Sequence, residues 1–135
     1  MNPRLKKLDR VRKVQKQLHT MAEWELVRLQ RKGAELEAAQ VALIETLNDD
    51  EKLYGLFVDA AAKRLQSLAA QANQVEADRL VQAGVTLDRA MQVKRTEKMV
   101  TSLKEVHRRE TEKSDLLGIL DSIAARGDAS PAKAT

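Results

Sequence analysis

Two histidines, five serines and many carboxylates are the residues of this 135-residue chain that could do chemistry. His19 and His107 are nearly a chain-length apart, with no metal-ligand spacing between them, and each reads as a solvated histidine on a helix flank. Ser67, Ser102, Ser114, Ser122 and Ser130 have no nucleophile elbow or positioned base nearby. The carboxylates nearly always have Lys or Arg at helical distance, as Glu105 has Arg109, which is the pattern of surface ion pairs. There is no Cys, so a disulfide framework, a thiolate metal site and a Cys nucleophile are excluded. Gly33 has no glycine cluster or strand around it that would make a phosphate loop. Catalysis also needs a concave pocket that excludes water, and the elements read below offer none. The expectation is a protein that is not an enzyme and has no metal and no cofactor.

The composition explains why. The chain is 33% charged and 43% hydrophobic but only 2% aromatic. Ala, Leu, Gln, Glu, Lys and Arg dominate, and these residues lose little side-chain freedom on a helix. Few aromatics and many charges suit helices that each bury a narrow stripe better than a thick globular core. The fold expected is all-α and extended. No window approaches the roughly 20 apolar residues of a membrane span, and no apolar run of signal-peptide length follows the basic N-terminus. A cytoplasmic protein is expected.

From about Arg4 to Leu47 the apolar positions are Leu8, Val11, Leu18, Ala22, Leu26, Leu29, Leu36, Leu43 and Leu47. Their gaps of three, four and seven define an amphipathic helix. The steps Leu18 to Ala22 to Leu26 form a stutter, which relaxes a left-handed supercoil. Gln15 and Gln40 fall on this seam as polar residues that set register. Gly33 lies there too, making room for a large side chain opposite. A second pattern runs from about Glu51 to Arg126. Its seam is Leu53, Phe57, Ala61, Leu65, Leu68, Ala72 and Val75, then Leu80, Gly84, Leu87 and Met91. It weakens through 94–98 and resumes at Met99, Leu103 and Val106, with a last stripe of Leu116, Leu117, Leu120, Ile123 and Ala124.

Between the patterns, Asn48, Asp49 and Asp50 place a turn at 48–50, with Asn48 closing one helix and an Asp capping the next. Gly55 and Gly84 are rival bend points, and one unbroken helix also satisfies the pattern. With the turn at 48–50 the fold is two long helices forming an antiparallel coiled-coil hairpin, the second helix longer. Helices are expected over 4–47 and 51–126, with a disordered tail over 128–135. Facing residues should then add to about 99, pairing Leu43 with Leu56 or Phe57, Leu29 with Ala70, Leu18 with Val81 and Leu8 with Met91. Residues from about 97 to 126 would overhang by roughly 45 Å. An exposed apolar stripe of that kind marks a contact site.

The charge is uneven. Residues 1–17 hold Arg4, Lys6, Lys7, Arg10, Arg12, Lys13 and Lys16 against Asp9 alone. Such a field favours an acidic partner surface, a nucleic acid or an anionic membrane. Against nucleic acid, no aromatic residue is interleaved to stack bases. Trp24, the single tryptophan, lies just off the seam beside Val27, placed to pack at the seam's flank or to anchor a partner.

The start LKKLDRVRKVQKQLHTMAEWEL, the turn region LNDDEKLYGLF and the stretch LDRAMQVKRTEKMVTSLKEVHRRETEKSDL together resemble the FliJ-type stalk proteins of flagellar and type III secretion export ATPases. The resemblance covers nearly the whole chain and is one of pattern. It implies a protein without activity of its own that binds the export ATPase hexamer and the membrane export gate, and in some members export chaperones. It implies a place in flagellum biogenesis, motility or protein secretion, peripheral to the inner membrane through partners. On this chain the resemblance would put Arg4, Lys7, Arg10, Lys13, Leu117 and Leu120 on the ATPase side. Leu47, Tyr54 and Phe57 would be on the gate side, although the family's gate-facing side carries more aromatic residues than this chain does. The rival reading is a generic coiled-coil scaffold or dimeric adaptor.

Overall fold

The computed structural model describes residues 2–49 and 55–129. They form two helices, α1 (Pro3–Asp49) and the longer α2 (Gly55–Ala129), which pack together as an all-α helical hairpin. The start of α1 follows from its first residues. Asn2 Oδ1 accepts the Arg4 N–H at 2.9 Å, and the Asn2 carbonyl accepts the Lys6 N–H at 3.1 Å. Asn2 is thus the N-cap, and Pro3 occupies the first helical position, where its missing N–H costs nothing.

The turn expected at 48–50 is corrected in part, because α1 continues through Asn48 and Asp49. Asn and Asp disfavour helix by only a fraction of a kcal/mol, and the half-buried Leu43 and Leu47 hold the last turns in place. Asp50 and residues 51–54, including Tyr54, lie outside the described residues. At the other end α2 runs through Asp128 to Ala129, past the Arg126 limit expected and into the stretch 128–135 expected to be disordered, of which 130–135 lie outside the described residues.

The chain divides into two compact units. In the first, residues 14–93, α1 and α2 are antiparallel. Gln82 Nε2 donates to the Ala22 carbonyl at 3.1 Å. Farther along α1, a Cβ added to Gly33 would stand 3.7 Å from Val75 Cγ1, an ordinary contact, so the glycine does not clear space for a large side chain as expected. Leu36 and Leu68 are buried to 5% and 3% exposure. Contacting pairs, 22 with 82, 22 with 86 and 33 with 75, add to 104–108, not to about 99. The register is corrected for a simple reason. With α1 ending at Asp49 and α2 beginning at Gly55, the midpoint of the numbering is 52. Leu29 accordingly shares a groove with Ala72 and Val75, and Val81, expected opposite Leu18, is 69% exposed.

The second half of the α2 seam is also corrected. Leu80, Leu87 and Met91 are exposed, and the face turned inward carries Arg79, Gln82, Thr86 and Arg89, all half-buried. Val75 to Leu80 is a step of five residues, which at 3.6 residues per turn rotates the side chain about 140° off the seam. A continuous helix keeps one face against its partner, so the apolar stripe leaves the interface. Ala22 meets this polar stretch. Its small side chain leaves its carbonyl open to Gln82 and to Thr86 Oγ1, which lies 3.2 Å from it and 2.9 Å from the Gln82 carbonyl. The single hydroxyl proton serves one of these acceptors at a time. Gln15, expected on the seam, is half-buried there with its Oε1 unpaired.

In the second unit, residues 2–13 with 94–129, Leu5 and Val100 are buried at its centre and Thr96 is buried with them. Leu8, expected opposite Met91, shares a groove with Met99, Leu103 and Val106. Val11, expected on the seam, is exposed, and Asp9 and Arg12 are half-buried instead. From Val106 to Gly127 every residue is exposed. The unpartnered stretch therefore begins near 106 and not near 97.

Candidate interaction surfaces

Arg4, Lys7, Arg10 and Lys13 are all exposed in the second unit. Asp9 sits 2.8 Å from Arg12 Nη2 and 3.5 Å from Lys13 Nζ. Partial desolvation pushes the Asp9 carboxyl up, but these two cations outweigh it and hold its pKa below the ordinary value. Lys13 is thus engaged by a carboxylate, whereas Arg4, Lys7 and Arg10 make no ion pair among the described residues. Arg4 also lines the groove of about 340 Å³ that holds Leu8, Lys98, Met99 and Leu103. A cation and an apolar floor in one groove suit an amphipathic partner.

Farther along α2 in the same unit, Arg108 bridges Glu105 and Glu112, and Glu105 also meets Arg109 at 3.3 Å. The hydrogen bond from Arg108 is the main cause that lowers the Glu105 pKa, and the same bond raises that of Arg108. These exposed pairs stiffen the helix where no second helix supports it. Beyond them Leu116, Leu117, Ile119, Leu120 and Ile123 are each more than half exposed. At 100° per residue they cover an arc of about 160°, from Ile119 round to Leu117. By the same geometry Ser114, Gly118 and Ser122 centre on the opposite side, and they border Ile119 and Ile123 in a shallow groove. Such an arc is wider than a two-stranded coiled-coil seam. It fits a groove with more than one wall.

Leu47 and Phe57 belong to the unit of residues 14–93, Leu47 half-buried and Phe57 exposed. Trp24, which the sequence places beside the seam, is 70% exposed and packs no flank. Periodicity missed the exposed Leu80, Leu87 and Met91 by assigning them to the seam, although the five-residue step after Val75 was the available signal. His19 Nδ1 lies 3.0 Å from Glu23, and His107 is exposed. No cluster of three or more potential metal ligands occurs among the described residues. None of the described helices is long and apolar enough to cross a membrane.

No family model, curated protein or solved structure matches this chain.

Proposed function

We propose that this chain is the non-enzymatic coiled-coil stalk of a flagellar or type III protein export apparatus. In this reading it binds the export ATPase hexamer and the export gate, promotes ATPase assembly and substrate export, and acts in the cytoplasm. The observation that carries the reading is the exposed apolar arc around Leu117 and Leu120. It lies in the same unit as the unpaired cations Arg4, Lys7 and Arg10. A hairpin whose longer helix extends bare and apolar is built to be completed by another protein. A wide arc needs several walls, which the central hole of a ring supplies. The gate would be met by Leu47, Tyr54 and Phe57, and export chaperones are further candidate partners.

The test is ATPase activity and oligomerisation of a purified type III export ATPase with and without this chain. The chain should raise both, and L117E/L120E should abolish the effect. Because both leucines are exposed, the double variant should melt like the parent. No stimulation at excess stalk would refute the proposal. The rival reading, a dimeric scaffold, draws on the same exposed leucines. A tight dimer at low micromolar concentration, seen by light scattering, would favour it over the stalk.

A further inference from the structure

We propose that the Trp24 face of α1 is a docking site for an acidic amphipathic segment of a partner protein. Trp24, 70% exposed, is the most exposed large apolar side chain among the described residues. It stands two residues beyond the buried Ala22, about 200° around the helix from it and so on the side away from α2. Most of its surface is left to solvent. Val27, one turn on, is also exposed. With Arg28, Arg31, Lys32 and Glu35 the two line a groove of about 400 Å³.

The charges of the groove select its occupant. Arg28 is held by Glu25 through two hydrogen bonds of 2.9 and 2.6 Å, and this bonding raises its pKa and lowers that of Glu25. Arg31 and Lys32 are exposed and have no ion pair among the described residues. The occupant therefore needs an apolar side chain for the Trp24–Val27 ledge and carboxylates for Arg31 and Lys32. Trp24 is the groove's single aromatic side chain, so it offers no platform on which successive bases could stack, which favours a polypeptide over a nucleic acid. The surface lies wholly within residues 14–93 and owes nothing to Leu117 or Leu120. The inference therefore stands whether or not the export reading does.

Trp24 is the sole tryptophan, so its fluorescence reports on this site alone. The full chain is titrated with a synthetic amphipathic helix carrying Leu on one face and Glu on the other. A Gln-for-Glu version and a single-stranded oligonucleotide serve as comparisons. The Glu peptide should give a saturable blue shift of the emission. The Gln peptide, and the R31E/K32E variant with the Glu peptide, should each bind roughly tenfold more weakly, as loss of two surface charge contacts predicts. K63E/R64E makes the same change in net charge on α2 and should bind within about twofold of the parent. Labelled-peptide anisotropy with W24A should show loss of binding, and W24F should restore part of it. The proposal is overturned by equal affinity for the Gln peptide, by equal loss in K63E/R64E, by tighter binding of the oligonucleotide, or by no emission shift at millimolar peptide.

Discussion

The register of the hairpin can be tested by covalent capture, because the chain has no cysteine of its own. The pair to join is Gly33 and Val75, where the Gly33 Cβ position stands 3.7 Å from Val75 Cγ1. Val75 Cγ1 marks where a sulfur on residue 75 would stand, and a disulfide holds its Cβ atoms roughly 3.5–4.5 Å apart, so G33C/V75C has its sulfurs within reach and should close with a small adjustment of the helices. The loop it closes runs from 33 to 75, and the chain-entropy relation gives about 4 kcal/mol of stabilisation for that length. The control is G33C/Q66C, the pair that a turn at 48–50 would bring together. Gln66 is exposed and nine residues from Val75, a displacement of about 13 Å along α2. Air oxidation followed by thiol counting and mass spectrometry reads the cross-link. Denaturant unfolding with and without reductant reads the stability. G33C/V75C should form an intramolecular disulfide and unfold at higher denaturant when oxidised, while G33C/Q66C should form none within the monomer. Preferential closure of 33 with 66 would refute the register and the explanation built on the 49-to-55 connection.

Gly33 yields a second test, because the added methyl would meet Val75 at an ordinary contact distance. G33A should therefore stabilise the hairpin by roughly 1 kcal/mol, the helix-propensity difference, seen as a higher melting midpoint by circular dichroism. Leu68 is 3% exposed, and L68A should cost about 2–3 kcal/mol in denaturant unfolding, toward the low end for a core leucine because a two-helix core is narrow. L87A, at a side chain that periodicity assigns to the seam but that is 62% exposed, should change stability by less than about 0.5 kcal/mol. Acid should loosen the stretch around Glu105, whose pKa lies below its ordinary value. The contribution of its pairs is complete above that ordinary value and is lost as pH falls through the lower folded value. The protection of amides over 105–112, with exchange rates divided by the intrinsic rate at each pH, should therefore fall at low pH, more in the parent than in E105Q.

Helical character, two elements and the longer second one were legible in the sequence, because the 3.6-residue period and the scarcity of helix breakers are local properties. So was the stripe of Leu116, Leu117, Leu120 and Ile123, since no residue of α1 is numbered to reach it, although Ile119, which widens it to an arc, was not read as part of it. Asn2-Pro3 at the start of α1 is a local signal of the same kind, with both cap and first residue written in adjacent positions. Gly33 and Gln15 on the seam were legible from spacing. What stayed hidden depends on the partner helix. A shift of a few residues in the connection moves every facing pair, and no local preference measures it, so only the packed helices show Gly33 beside Val75. The choice between Leu80 and Arg79 as the inward residue follows from the phase that Leu68, Ala72 and Val75 impose on a continuous helix. Hydrophobicity alone favours Leu80, and geometry overrules it. Trp24 shows the same division: its type was plain in the sequence, but its exposure depended on which face of α1 the second helix took.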